Sequence, residues 1–229
     1  MKILFLLCIF SLSIVPADAW AGDLTVSGDD TVTIDTISNY NNVIVTDNAV
    51  LNVVGCILMV DGNIEFDWMS TINFVNASLE ILQDYGFQHF LEGSNWGTLR
   101  MTSSTVVPSG CQLHWYLNDE ASMIVKSGSV IRYSEQGANI FAWNKSSISI
   151  DSSTVEEVVL SDSVTVTVSN SNFGFELAFC PGSHVELVNL RDCEGGGDWS
   201  ISSGNGVGFS LTLTNSAWWC SLISVSCLF

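Results

Sequence analysis

One short pattern recurs along the chain: an apolar residue, any residue, an apolar residue, any residue, then a small or polar one. It is read at Val32-Thr33-Ile34-Asp35-Thr36, Leu51-Asn52-Val53-Val54-Gly55, Ile72-Asn73-Phe74-Val75-Asn76, Leu99-Arg100-Met101-Thr102-Ser103 and Met123-Ile124-Val125-Lys126-Ser127. It continues at Ile148 to Ser152, Val166 to Asn170, Val185 to Asn189 and Leu211 to Asn215. The first residues of successive units lie 19, 21, 27, 24, 25, 18, 19 and 26 apart, a mean of about 22. Alternation at period two places the first and third residues on one face of a strand and the second on the other. Each unit therefore predicts a half-buried strand that ends at a turn residue. Asn suits that last place because it tolerates left-handed backbone angles, and its amide can bond an identical amide one coil away. Most steps carry a second apolar run, such as Ile57 to Val60, Leu79 to Leu82, Leu113 to Leu117, Ile140 to Trp143, Val155 to Leu160 and Phe173 to Phe179. With only three prolines and no helical periodicity, the pattern predicts a stack of β coils.

Over Thr31 to Asn215 this repeat is similar to that of the pectate-lyase-like right-handed parallel β-helix superfamily, whose coils have about this length and whose turns often carry Asn ladders. The resemblance implies an all-β fold, a right-handed parallel β-helix (β-solenoid) of about nine coils within residues 22–215. Left-handed hexapeptide helices keep coils in multiples of six, which gaps of 18 to 27 exclude. The calcium nonapeptide is absent, since Gly195-Gly196-Gly197-Asp198 stands alone. Asp61-Gly62, between Ile57 to Val60 and Ile64 to Phe66, is a strong hairpin signal of the kind an antiparallel sandwich uses. A sandwich does not account for nine in-phase units.

The chain opens with Lys2, an uncharged apolar run from Ile3 to Val15, and the small-residue segment Pro16 to Ala21. These are the parts of a secretory signal peptide over residues 1–21, with cleavage expected after Ala19 or Ala21. The run is too short for a membrane span of about 20 residues, so the expected location is secreted or at the cell surface, with no span after signal removal. At the other end, residues 216–229 form an apolar, uncharged tail, read as a cap, a truncation point, or a surface for further coils or another chain.

Composition narrows the partners. Asp plus Glu number 24 and Lys plus Arg only 6, a net charge of −18. No basic patch exists to neutralise phosphates, which excludes nucleic acid and disfavours anionic membranes. Six cysteines follow the leader, Cys56, Cys111, Cys180, Cys193, Cys220 and Cys227, too sparse for a disulfide scaffold and without zinc spacing. They read as buried small hydrophobes with room for one or two bridges, since an even number in an exported chain permits disulfides; no metal or other cofactor is expected.

Enzymes of the resembled superfamily cleave polysaccharides, either with a calcium cage of carboxylates and a cationic base or with two or three carboxylates. The hydrolase motifs Asn-Thr-Asp, Gly-His-Gly and Arg-Ile-Lys are missing, and Asp29-Asp30 is the lone matching pair. Lys126 and Asp151 share the fourth position of successive units and are expected to form a surface ion pair. Neighbouring acids at Asp119-Glu120 and Glu156-Glu157 point to opposite strand faces, and His89, His114 and His184 have no nucleophile motif beside them. Thr-x-Thr at Thr31, Thr165 and Thr212 does not fall on consecutive coils, so no flat ice-binding array forms.

Aromatics carry the functional promise. The long gap from Gln83 to Asn95 reads as an excursion holding Tyr85, Phe87, His89 and Phe90, followed by Trp96; a second excursion is read over Arg191 to Gly206. Loops on a rigid scaffold are where binding residues usually sit. Tyr85, His89, Trp96 and Trp115 are therefore expected to form an aromatic shelf for sugar rings. The reading is an exported, non-catalytic module for adhesion or recognition of a polysaccharide or cell-surface glycan, with no catalytic residue assigned. The alternative is a fragment of a polysaccharide lyase or glycoside hydrolase, and three or more carboxylates converging on one exposed coil face separate the two.

Overall fold

The computed structural model describes residues 21–109, 113–131, 138–155, 158–160, 164–173, 177–178, 184–188, 199–203, 210–214 and 222–227. The expected leader, apart from Ala21, lies outside the described residues, as do Cys111, Cys180, Cys193 and Cys220. Four turns of three strands each follow one another without a break. They are β1 (Leu24–Val26), β2 (Thr31–Ile34) and β3 (Ser38–Tyr40); β4 (Val43–Val45), β5 (Val50–Val54) and β6 (Ile57–Val60); β7 (Ile64–Phe66), β8 (Thr71–Val75) and β9 (Ser78–Leu82); and β10 (Phe90–Gly93), β11 (Thr98–Thr102) and β12 (Thr105–Ser109). Each strand pairs with the third one after it, and every pairing among the described residues is parallel. The result is a parallel β-solenoid with face A (β1, β4, β7, β10), face B (β2, β5, β8, β11) and face C (β3, β6, β9, β12).

Most strands after Ser109 join the same faces. They include β13 (Leu113–Leu117), β14 (Ser122–Lys126), β15 (Val130–Ile131), β16 (Ala138–Ala142), β17 (Ser147–Asp151), β18 (Thr154–Val155), β19 (Val158–Leu160) and β20 (Thr165–Ser169). From the tail, Leu222–Cys227 is a strand paired in parallel with Trp199–Ser203. No helix among the described residues is long and apolar enough to cross a membrane.

The repeated units supply the register. Val32, Leu51, Ile72, Leu99, Met123, Ile148 and Val166 stand in one row of paired residues down face B. From Leu51 onward these side chains are buried in the core, and only Val32, in the first turn, is partly open. A slip of one residue would turn the whole row to solvent, and each of these side chains gains about 1.5–3 kcal/mol from burial. The pattern thus fixes the pairing as well as the strands.

The turn at the fifth position is left-handed, with φ between 50° and 64° at Gly55, Asn76, Ser103, Ser127, Ser152 and Asn170. The amide ladder expected there is elsewhere: Asn73 Nδ2 donates to Asn52 Oδ1 at 2.9 Å, in mid-strand on the outer side of face B. At the turn itself, serine hydroxyls bridge coils. Ser104, Ser129 and Ser171 accept the backbone N–H groups of Ala77, Ser104 and Ser153 at 3.1, 3.1 and 3.2 Å.

The structure resolves the rival hairpin signal and corrects two expectations. Asp61-Gly62 is not a hairpin but the corner from face C to face A, and glycine is required because a Cβ at Gly62 would lie 2.2 Å from the Asn41 carbonyl oxygen. Lys126 and Asp151 are in register, yet they form no ion pair, because Ser169 Oγ and Asn170 Nδ2 donate to Asp151 Oδ1 from the next turn. The first excursion is shorter than read, since Phe90–Gly93 is strand β10 and only residues 83–89 leave the coil. Cys56 is free and buried, its thiol donating to the Ile34 carbonyl, and burial pushes its pKa up.

Candidate functional site

Face A packs its inner rows as tightly as face B. Val43, Ile64, Leu91, Trp115 and Ile140 form one inner row; Val45, Phe66, Gly93, Leu117 and Ala142 form the other. Phe66 fits because the next turn offers Gly93, where a Cβ would stand 2.4 Å from the phenyl ring. The outer rows are different from those of an ordinary solvated sheet, where polar side chains face water. Ile44, Glu65, Glu92, Tyr116 and Phe141 follow one another outward in register, with Phe90 and His114 paired in the row beside them.

These outer rings touch in a continuous strip. Tyr116 stacks on Phe141 with centroids 5.9 Å apart and planes at 25°. His114 meets the Phe141 edge at 5.0 Å, Trp143 lies 5.6 Å from Tyr116, and Phe90 lies 6.2 Å from it. His114 Nδ1 and the Tyr116 hydroxyl are 2.7 Å apart, and burial among the rings holds the imidazole pKa below its usual value. Phe87, with a left-handed φ of 62°, drops from the 83–89 excursion onto His114 at 3.9 Å. That excursion is pinned by its own amides, Gln88 Oε1 accepting the Asp84 N–H at 2.7 Å and Gln83 Oε1 the His89 N–H at 3.4 Å.

Carboxylates border the strip. Glu65 faces Glu92 across one strand pair, and Asp67 follows two residues on, on the same side of the sheet. Partial burial, then the charges of Glu92 and Asp67, push the Glu65 carboxyl above its ordinary value. Asn118 Nδ2 donates to Glu92 Oε1 at 3.0 Å and orients it. Asp67 Oδ1 and Asn118 Oδ1 are buried without a hydrogen-bond partner. The carboxylates left open to solvent here are Glu65, exposed, and Glu92, partly exposed. Among the described residues, no group of three or more His, Cys, Asp or Glu is arranged to hold a metal ion.

The corner between faces A and B carries a second feature. One residue of each turn is left-handed there: Gly28, Asp47, Trp68, Asn95, Asp119 and Asn144, with φ of 68°, 62°, 53°, 52°, 53° and 59°. Five are glycine, Asp or Asn, which tolerate this conformation; the sixth is tryptophan, for which it costs about 1–3 kcal/mol. Polar ladders close both ends of the corner. Asp47 Oδ2 accepts the Gly28 N–H at 3.0 Å and Asn48 Nδ2 donates to Asp29 at 2.9 Å, while Asn144 Nδ2 donates to Asp119 and Lys145 reaches Glu120 at 3.5 Å. Between them Trp68, Met69 and Trp96 are 53%, 62% and 54% exposed. The Trp96 indole N–H donates to Glu120 Oε2, and a cleft of about 350 Å³ opens between Asp47, Asn48, Trp68, Met69 and Trp96.

The expected shelf is thus divided. Tyr85, 65% exposed, and His89, with Nε2 at 3.5 Å from Asp61 Oδ1, sit before β10, whereas Trp96 sits after it at the opposite edge of face A. Trp115 points inward and is fully buried, so it takes no part in a surface shelf. Between these edges lie Glu65, Glu92, His114, Tyr116, Phe141 and Trp143, none of them singled out as site residues from the sequence. The signal for them was parity: in Leu113-His114-Trp115-Tyr116-Leu117 the two leucines and the tryptophan share one side, which sends His114 and Tyr116 outward.

No family model, curated protein or solved structure matches this chain. Of the expected resemblance, the structure shows the parallel β-solenoid architecture, and the site is read from its own geometry.

Proposed function

We propose that this protein is an exported, non-catalytic module that recognises a polysaccharide or cell-surface glycan along face A, on a right-handed β-helix of about nine coils. The strip of half-buried rings on the outer side of a sheet carries this reading. Sugar rings present apolar C–H faces that aromatic side chains cover, and hydroxyl hydrogens that the Glu65 and Glu92 carboxylates can accept. A contiguous apolar patch rimmed by polar groups is the usual mark of an interaction site. Right-handed winding follows from the twist of parallel strands, which favours right-handed crossovers. The expected leader supports secretion.

A second reading, glycoside hydrolysis, is favoured by Glu65 and Glu92, which stand opposite each other on this exposed face; Asp67, whose Oδ1 is buried, does not complete an exposed trio. Parallel neighbours are about 4.8 Å apart, near the roughly 5–5.5 Å of a retaining carboxylate pair, and a raised Glu65 suits a proton donor. One experiment separates the two: a glycan array together with reducing-sugar release from neutral and acidic polysaccharides. Binding that is lost in Tyr116→Ala, without product release, supports the module. Product release abolished by Glu65→Gln and by Glu92→Gln replaces it with the hydrolase. Neither binding nor release, from protein shown by circular dichroism to be folded, removes both.

A further inference from the structure

We infer that the cleft at the corner of faces A and B takes a protonated amino group, so that the glycans recognised by this protein carry free amino sugars; this deepens the reading of face A as a glycan surface and rests on it. Trp68 supplies the first observation. Its row otherwise uses Gly28, Asp47, Asn95, Asp119 and Asn144, residues at ease with a left-handed backbone, and an indole that is half in solvent adds little to the core. The side chain is held where it is strained and exposed, opposite a second exposed indole, Trp96. Two indoles around a cleft form a surface that attracts cations through the ring quadrupole, for which tryptophan is the best of the aromatic residues.

Charge supplies the second observation. Asp47 lines the cleft and spends Oδ2 on the Gly28 N–H, which leaves Oδ1 to a ligand. Glu120 accepts the Trp96 indole N–H, and that bond pushes electron density into the ring and strengthens its hold on a cation. No cationic side chain lines the cleft, and Lys145, the nearest cation in the corner ladder, is already engaged by Glu120. A uronic acid would meet repulsion from this edge and from a chain of net charge −18. A neutral sugar would cover the rings but leave Asp47 uncompensated. An ammonium group on a pyranose satisfies rings and carboxylate together.

Calorimetry of the purified protein tests this with three trisaccharides: the glucosamine trimer, its N-acetylated form and cellotriose, at 150 mM and at 500 mM salt, salt levels chosen to screen bulk attraction to about 8 Å or less. The expected result is binding of the glucosamine trimer at least tenfold tighter than of the other two. That preference falls tenfold or more in Trp68→Ala and in Asp47→Asn, and stays in Asp84→Asn, which removes the same charge from the 83–89 excursion. Trp68→Asn, whose backbone suits the left-handed position, replaces Trp68→Ala if the latter does not fold. Equal binding of the three trimers, or a preference indifferent to Trp68 and Asp47, overturns the inference and leaves the glycan reading in place. No binding of any trimer here or of any sugar on the array overturns both.

Discussion

Face B turns Thr33, Asn52, Asn73, Arg100 and Ile124 outward along one row, whereas face A turns out Ile44, Glu65, Glu92, Tyr116 and Phe141. Inside, the two faces contribute to one hydrophobic cluster and are equally buried. The solenoid therefore specifies its inner rows and is indifferent to its outer ones. Face B's outer side carries cross-coil hydrogen bonds and scattered aliphatic side chains but, among the described residues, no aromatic ring; face A leaves rings half exposed where solubility alone would place polar groups. The difference is confined to the side that folding does not constrain, which is where the proposed glycan contact is placed.

The comparison is broken most severely from within. Phe66→Ala on face A and Phe74→Ala on face B should each cost about 3–5 kcal/mol, read as matching shifts in denaturant midpoint. Unequal losses would show that the two cores are not equivalent. At the surface the faces should separate: Tyr116→Ala lowers glycan affinity about tenfold, which is about 1.4 kcal/mol, and Arg100→Ala leaves it unchanged in the same titration. Asn73→Ala removes the amide bond to Asn52 and should cost about 1 kcal/mol of stability with no effect on binding. Trp68→Asn runs the other way, raising the melting temperature by the equivalent of about 0.5 kcal/mol as backbone strain is relieved, while binding at the corner weakens.

Acidity gives the finest contrast, because the faces carry carboxyls shifted in opposite directions. Glu65 is raised by burial and by neighbouring Glu92 and Asp67, so its contribution is fully present below the ordinary Glu value and is lost as pH rises through the raised one. Asp151 is lowered, first by the Ser169 hydroxyl and then by the Asn170 amide, so its contribution is present above the ordinary Asp value and is lost as pH falls through the lowered one. Unfolding titrations of Glu65→Gln and Asp151→Asn across pH 2–7, scaled against wild type, should therefore change slope with opposite signs. Slopes of the same sign would mean that the two surfaces are electrostatically alike.

The rows of the core were legible in the sequence because a parallel solenoid repeats one strand per coil and period two marks it plainly. The left-handed turn was legible for the same reason, since Gly55, Asn76 and Asn170 are types that tolerate it; Ser103, Ser127 and Ser152 show that the turn accepts serine where the next coil supplies hydrogen bonds. The site was harder. Trp96 and Tyr85 could be picked out as exposed, but nearness in sequence drew them together and brought Trp115 with them. Only the phase of β13 separates the buried Trp115 from the outward Tyr116. The corner cleft could not be read at all, because Trp68 and Trp96 meet through a register offset by one residue and a 27-residue coil that contains the 83–89 excursion.

Every strand in the stack is held by partners one coil away, 18 to 27 residues along the chain. A molecule wound in this way responds to tension along its axis by peeling. Load on one end tears a single coil from its neighbour, releases a length of about 60–95 Å at roughly 3.5 Å per residue, and comes to rest on the next coil still intact. Under such a load the protein would lengthen in successive steps and keep its remaining turns, with the Tyr116 and Trp143 contacts among those retained when the pull comes from the amino-terminal side.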